Sequence, residues 1–456
     1  MKILVCVKVI KGEINPFDES AVECALSLSD DVTVVSMGPE SCKDALISLT
    51  RLGAKVKLIS DSVFAGSDTL ATSYVLSSFI KKLPYDLILC GRQSVDGDTA
   101  QVGPMLSDML GVNLITNAMN VDISSDKVRC VTRLGEEETS LPALVTLERG
   151  YILRFPSLFS KVGEVEVFDN GYIGCDVSKC GLSGSPTRVI QTFENQSGRR
   201  KCKYISKDEL IPLINELKNK SKEKTVSVTS NEKFDLVWAI GDEVVPKAKE
   251  IAHNVKVIYS KSIDDISQMA KDEKPDVILW NADLWGRKYA PVVASRLNTG
   301  LCADCTHLEC DNDTLYMFRP AQGGNIYAKI KCITKPQMAT VRTKSASSDI
   351  IISGGKGVGN CMETISLFAQ KIGAEIGASR GLVDMNKAPY DMQIGLTGKT
   401  VSPKVYIAVG ISGAVHHIVG IEGSDTIIAI NPDKDARIFE YADYGIVAKW
   451  EDIYDI

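Results

Sequence analysis

Apolar positions along the chain keep two rhythms, short continuous runs and longer stretches with apolar residues three or four apart. Over the first 150 residues the runs Ile3 to Val7, Val32 to Ser36, Lys57 to Ile59 and Asp86 to Cys90 predict strands. The stretches Glu19 to Leu28, Ser41 to Leu52 and Thr69 to Lys81 predict amphipathic helices. Strands that alternate with helices build a mostly parallel α/β sheet. Each run passes within a few positions into Gly, Ser, Asn or Asp, so the carboxyl ends of the strands form a polar rim. Open sheets of this kind bind ligands at that rim, where the strand order reverses.

From Ser197 to Lys233 the composition shifts to Lys, Ser, Asn and Glu, which predicts a linker with one short helix and no core of its own. A second alternating block has strands near Leu236 to Ile240, Val255 to Tyr259 and Asp276 to Trp280, and a helix from Ala290 to Leu297. It repeats the first block. Asp86-Leu-Ile-Leu-Cys-Gly-Arg-Gln leading to Pro104-Met-Leu-Ser-Asp-Met-Leu-Gly matches Asp276-Val-Ile-Leu-Trp-Asn-Ala-Asp leading to Pro291-Val-Val-Ala-Ser-Arg-Leu-Asn in order of strand, loop and helix. A third block starts near Ser348, with strands Asp349 to Ile352, Lys404 to Val409 and Thr426 to Ile430.

Composition narrows the function classes. The 456 residues carry 52 Lys and Arg against 58 Asp and Glu, a net charge of -6 that offers nucleic acid or an anionic membrane no basic surface. No apolar run reaches the roughly 18 residues of a spanning helix, and Lys8 interrupts the opening run too early for a signal peptide. Thirteen scattered Cys predict reduced thiols and a cytoplasmic location. Four His leave little for a His-built metal site.

Several segments carry candidate chemistry. Ile350-Ile-Ile-Ser-Gly-Gly-Lys-Gly-Val-Gly-Asn360 reads as a strand, a glycine turn and a helix from Met362, an arrangement that brings backbone amides to a pyrophosphate. Val405-Tyr-Ile-Ala-Val-Gly-Ile-Ser-Gly-Ala414 repeats it, followed by His416 and His417, and further strand ends are expected at Asn431-Pro-Asp and Tyr441-Ala-Asp-Tyr-Gly445. Gly377-Ala-Ser-Arg-Gly381 has the spacing of a hydrolase nucleophile elbow, with Asp384 and His417 in triad order. Against that reading, Phe368 to Glu375 predicts a helix where the elbow needs a strand. Cys302, Cys305, His307 and Cys310 could hold zinc or form a redox dithiol, but strand alternation would send Cys302 and Cys305 to opposite faces, which favours small buried thiols. The loop Gly91 to Pro104 combines Asp96 and Asp98 with glycines and hydrogen-bonding side chains, suited to a ribose or a metal, and the amides of Ala100 to Gly103 suit a phosphate.

The chain resembles the electron-transfer flavoproteins, with beta-type and alpha-type halves in that order. Residues 1–195 are similar to the beta subunit through Leu4-Val-Cys-Val-Lys8, Asn15-Pro-Phe-Asp-Glu19, Val35-Ser-Met-Gly-Pro39, Ala65-Gly-Ser-Asp-Thr69 and the 96–103 loop. Residues 196–232 are the linker. The alpha-like half divides into an α/β domain over 233–345 and an FAD-binding domain over 346–456, through Arg319-Pro-Ala-Gln-Gly-Gly-Asn325, Pro336-Gln-Met-Ala-Thr-Val-Arg342, Gly377-Ala-Ser-Arg380, Asp391-Met-Gln-Ile-Gly-Leu-Thr-Gly398 and Gly410-Ile-Ser-Gly-Ala414. The resemblance implies Rossmann-like three-layer α/β domains, two of them pseudo-related adenine-nucleotide domains and the last holding FAD.

By position, the resemblance assigns FAD contacts to Lys356, Ser379, Arg380, Gln393, Ile394, Gly395 and Thr397, and to Ser412, Gly413, Ala414, His417, Asn431 and Asp443. Lys356 and Arg380 would offset flavin charge, His417 would meet the pyrimidine carbonyl and Thr397 would reach N5. Lys356 stands where many members have Arg, and Leu396 where the mitochondrial type has Gln. A second nucleotide is assigned to Cys6, Asn15, Met37, Asp68, Thr69, Asp96, Asp98, Thr99, Ala100, Gln101, Val102 and Gly103. It is AMP in simple carriers and FAD in electron-bifurcating members; Asp96-Gly-Asp-Thr-Ala-Gln-Val102 is similar to the bifurcating group, which implies a second FAD and NADH as donor. Tyr151 to Leu158, with Arg154, Phe155, Pro156 and Leu158, resembles the partner-recognition segment, although the N-terminal region is shortened around Lys11-Gly-Glu13. The implied partners are a flavin dehydrogenase such as acyl-CoA dehydrogenase and a low-potential acceptor such as ferredoxin or flavodoxin. A one-FAD, one-AMP carrier, a passive nucleotide-binding regulator and a serine hydrolase are the alternatives.

Overall fold

The computed structural model describes residues 1–194, 199–219, 233–343, 348–359 and 361–454. The rest of the predicted linker (196–198 and 220–232), the 345/346 boundary and Asn360 lie outside the described residues. The chain divides into two compact units. The first takes 1–192, 230–322 and 328–342; the second takes 193–229, 323–327 and 343–456.

Two Rossmann-like α/β layers form most of the first unit, which also holds strands His307–Asp311 and Thr314–Ala321 of a smaller sheet. The larger sheet runs, edge to edge, Val165–Phe168, Lys55–Ile59, Asp31–Met37, Lys2–Val7, Leu87–Gly91, Ala143–Leu147, Asn113–Ser124, Lys127–Thr132 and Gly135–Ser140. Its first six pairings are parallel, and the last two form an antiparallel meander. The second sheet runs Ala252–Ile258, Phe234–Ile240, Val277–Asn281, Gln337–Val341 and Leu301–Cys305, all parallel. Central strands buried on both faces need continuous apolar sequence, which Ile88, Leu89, Ile278 and Leu279 supply.

The internal repeat is structural to the level of single hydrogen bonds. Asp86 accepts from the Lys2 amide at 2.7 Å, and Asp276 accepts from the Leu236 amide at 3.1 Å. Thr146 Oγ1 accepts from the amide of Asn117, at φ 60°, while Thr340 Oγ1 accepts from that of Asp304, at φ 66°. Helix Val102–Leu110 ends on left-handed Gly111, and helix Leu284–Leu297 on left-handed Asn298. These two helices pack on each other, Arg296 reaches Asp108 at 2.7 Å, and Met105 and Leu70 enter the core of the second repeat.

The second unit holds a parallel sheet with strands Tyr444–Ile446, Thr426–Ile430, Val405–Val409, Ile350–Gly354 and Glu375–Ser379 in that spatial order. Two of its elements come from the predicted linker. Lys203–Tyr204 extends the sheet beside Tyr444–Ile446, and helix Leu210–Asn219 buries Leu210, Ile214 and Leu217 in its core. The polar average of the segment hid an apolar stripe at four- and three-residue spacing, which is enough to dock a helix.

Ile214→Ala should therefore destabilise this unit by about 2–5 kcal/mol, as a buried aliphatic truncation does, and exposed Glu216→Ala by less than about 0.5 kcal/mol. Denaturant titration compares the two; equal, small effects would return this helix to the linker.

Candidate functional site

The strand Lys2–Val7 lies between Asp31–Met37 and Leu87–Gly91, so the chain changes direction across the larger sheet at this strand. Its carboxyl end opens into a cavity of about 670 Å³, within the range of small-molecule sites. Cys6, Asn15, Met37, Thr99, Ala100, Gln101, Val102 and Gly103 of the predicted set line it. The other four do other work. Asp68 caps helix Thr69–Ile80 through the Leu70 and Ala71 amides and also accepts from Thr187; the Thr69 hydroxyl donates to Gln101 at 2.6 Å. Asp96 is ion-paired with Lys8 at 2.7 Å, which against burial holds its carboxyl below the usual range. Asp98 accepts from the Gln93 amide at 2.8 Å.

The loop bearing these residues puts Asp98 and Ala100 at φ 52° and 55°, in the left-handed region that side chains with Cβ rarely adopt. Residues of the second repeat hold it there. Arg319, buried, donates to the carbonyls of Gly97 at 2.8 Å and Asp98 at 3.0 Å, and Gln101 donates to the Leu301 carbonyl at 3.0 Å. Beside Arg319, buried Asp304 accepts from Arg287 and Arg342, and these cations outweigh burial to hold its carboxyl far below the usual range.

Sequence reasoning missed Asp18. One carboxylate oxygen accepts from the Lys8 amide at 2.8 Å and the other from the Gly91 amide at 3.1 Å, tying two strand ends together at the cavity wall. Burial raises its pKa to about 7 despite these donors. Its place in Asn15-Pro-Phe-Asp18, one turn into helix Pro16–Leu28, was the signal available.

In the second unit the parallel strands bring their carboxyl ends to one edge, which carries Lys356, Ser379, Arg380, Ser412, Gly413, Ala414 and Asn431. The glycine turns serve backbone packing first: a Cβ on Gly355 would lie 2.2 Å from the Gly410 carbonyl oxygen, and one on Gly413, at φ 84°, 2.2 Å from the Ile438 nitrogen. Asn431 supports the same loop by donating to the Ile411 carbonyl at 3.0 Å. Gln393, buried, donates to Thr397 Oγ1 at 2.8 Å; the hydroxyl's own proton points elsewhere and can serve a ligand. Lys356 lays its stem against Gly381, and Arg380 pairs with Asp384 at 3.2 Å.

Two further residues assigned to FAD, His417 and Asp443, make close contacts within the protein. His417 is buried, with Nε2 on the Tyr406 hydroxyl at 2.9 Å and Nδ1 on the Ile394 carbonyl at 3.1 Å, and burial lowers its pKa to about 4. The ring thereby bridges the Tyr406 hydroxyl and the Ile394-Gly395 segment. Asp443 precedes its strand, at the amino-end edge, where it accepts from Arg200 and from the Ile427 amide. The expected strand end at Tyr441 to Gly445 is instead the approach to a strand, Tyr444–Ile446, which starts there.

The helix predicted over Phe368 to Glu375 is present as far as Ile372, but a strand, Glu375–Ser379, follows it, so the elbow's strand exists; Asp384 nevertheless pairs with Arg380 and His417 with Tyr406 and Ile394, and no triad assembles. Cys302 and Cys305 join one core cluster, since the bulge at left-handed Asp304 cancels the alternation; burial raises the Cys305 thiol well above its usual pKa. No group of three or more His, Cys, Asp or Glu among the described residues could hold a metal. The segment after Gly150 is exposed, with Phe155 at 95% and Leu158 at 92%, and Arg154 anchors it to Glu23 at 2.7 Å.

Parallel sheets with polar rims at their carboxyl ends and an internal repeat define an α/β protein of the doubly wound class. The electron transfer flavoprotein domain matches twice, over residues 3–170 and 260–358, and the electron transfer flavoprotein FAD-binding domain matches residues 345–422. The chain is 44% identical over 236 residues to the electron transfer flavoprotein subunit alpha of Thermoanaerobacterium thermosaccharolyticum, covering 41% of this chain and 71% of that protein. It is 38% identical over 261 residues to protein FixB of Clostridium saccharobutylicum (47% and 77%), and 37% identical over 272 residues to the Megasphaera elsdenii alpha subunit (46% and 80%). The chain belongs to the electron transfer flavoprotein family. No helix among the described residues is long and apolar enough to cross a membrane.

Because Asp18 keeps its proton in the folded state up to about pH 7 and releases it near pH 4 when unfolded, its contribution to stability falls as pH rises between those values. Denaturation at pH 5 and pH 8 should show this part of the slope, up to about 1.4 kcal/mol per pH unit, in the wild type and not in Asp18→Asn. Identical slopes would mean the carboxyl is already ionised at pH 5.

Proposed function

We propose that this chain is a fused electron-transfer flavoprotein, with residues 1–195 as the beta-type half, 196–232 as connection, and 233–345 and 346–456 as the alpha-type half. The supporting observation is that one chain holds both an open cavity at the switch point of the first repeat and a cation-bearing rim in the C-terminal sheet. FAD supplies the reversible redox chemistry. Lys356 and Arg380 offset its negative charge, Thr397 donates to it while Gln393 fixes the hydroxyl, and Ser379, Ile394, Gly395 and the Ser412 to Ala414 loop shape its bed. His417, Asn431 and Asp443 complete the set assigned to FAD, Asn431 also bracing the Ile411 carbonyl and His417 the Ile394 carbonyl.

The cavity of the first repeat takes the second nucleotide. The first-turn amides at Val102 and Gly103 face a phosphate, and the small side chains of Ala100 and Val102 leave room for FAD in place of AMP. With two FAD the protein draws electrons from NADH and divides them between a ferredoxin or flavodoxin and a dehydrogenase such as acyl-CoA dehydrogenase. The exposed Phe155 and Leu158, with half-buried Pro156 between them and Arg154 anchoring the segment, form the docking segment for that dehydrogenase. None of the thirteen Cys forms a disulfide, in keeping with a cytoplasmic carrier.

Anaerobic mixing with NADH, a ferredoxin and an acyl-CoA dehydrogenase with its enoyl substrate tests this. Ferredoxin reduction that requires the enoyl acceptor supports bifurcation; a protein that NADH does not reduce, yet that exchanges electrons with the dehydrogenase, is the one-FAD, one-AMP carrier. Replacing Phe155 and Leu158 together by Ala should raise the KM for the dehydrogenase about tenfold or more with flavin content unchanged; an unaltered KM would place docking elsewhere.

A further inference from the structure

The register pairs the two repeats residue by residue. Ile3 and Leu87 are neighbours in the first sheet as Val237 and Val277 are in the second, which sets Cys6 opposite Cys90 in one and Ile240 opposite Trp280 in the other. Cys90 and Trp280 therefore hold one and the same position, at the carboxyl end of the same strand and on the same sheet face. The consequences differ. Cys6 and Cys90 are small and line the open cavity. Trp280 is fully buried, its ring centroid 5.3 Å from that of Trp285 in a tilted contact, which in turn lies 5.6 Å from the tilted Tyr289 ring, and Lys261 covers the Trp285 ring at 4.2 Å. The Trp280 indole N–H is buried with no hydrogen-bond partner. Buried indoles normally find an acceptor, so this ring is held for its volume and shape.

We infer that side-chain size at this one register position decides which repeat keeps an open nucleotide cavity: Cys90 is a specificity-determining residue of the N-terminal site, and Trp280 plugs a latent site for a flat aromatic ligand in the second repeat. The first half rests on the nucleotide reading of the cavity, and the second does not. Protein interiors are close-packed, so a ring at position 90 displaces ligand, while its removal at position 280 leaves an apolar void that small aromatics enter.

In the purified full chain, adenine nucleotide released per chain should fall along the series Cys90→Ala, Cys90→Val, Cys90→Phe and Cys90→Trp, until one nucleotide per chain is lost while the C-terminal flavin remains. A Cys90→Trp protein that keeps the full wild-type complement overturns the assignment of Cys90. A wild type with no nucleotide beyond the C-terminal flavin overturns the nucleotide reading and this half with it. Trp280→Gly, or Trp280→Ala if the glycine variant does not fold, should gain one indole site by calorimetry and a melting temperature that rises with indole, neither seen in the wild type. A folded variant that takes up no indole overturns the latent site.

Discussion

Helix Val102–Leu110 against helix Leu284–Leu297 is the contact on which the first unit depends. It makes one core of two repeats, since Leu70 and Met105 of the first share a cluster with Trp238, Ile278 and Val293 of the second. It also sets the rim loop of the first repeat beside groups that can hold it. Left-handed Asp98 and Ala100 cost backbone energy, of order 1 kcal/mol or more each, and the loop keeps them because Arg319 and Gln101 bind it across the repeat boundary. Asp304, itself locked between Arg287 and Arg342, keeps compensating charge next to Arg319.

Duplication followed by divergence at few positions accounts for the division of labour in this unit. The backbone devices are shared: an Asp on the first strand's leading amide, a Thr hydroxyl on a left-handed bulge, a left-handed helix cap. What differs is what fills the rim. One copy leaves space between Cys6, Cys90 and the loop, and the other packs Trp280, Trp285 and Tyr289 there. The second unit has another device at its rim, glycine turns packed so closely that a Cβ on Gly355 or Gly413 would meet backbone at 2.2 Å.

Much of this was legible in the sequence, because parallel strands buried on both faces leave apolar runs that no other element imitates. The repeat was visible in Asp86 to Gly111 against Asp276 to Asn298, and the rim loop in its density of polar residues. Local signals failed where a contact distant in sequence decides the outcome. Nothing near His417 announces that Tyr406 and Ile394 take both its nitrogens, and nothing near Asp443 shows that Arg200 claims it. The helix Leu210–Asn219 was hidden because composition averages over the three residues that dock it, and Glu375–Ser379 because a short strand directly after a helix continues its apolar rhythm.

The central claim is that one chain carries two flavins at two separately built rims. Anaerobic titration of the purified protein with dithionite, read by absorbance and normalised to chain concentration, tests it most directly. The account predicts four electron equivalents per chain; two equivalents would contradict the second flavin and leave a single redox centre in the C-terminal domain.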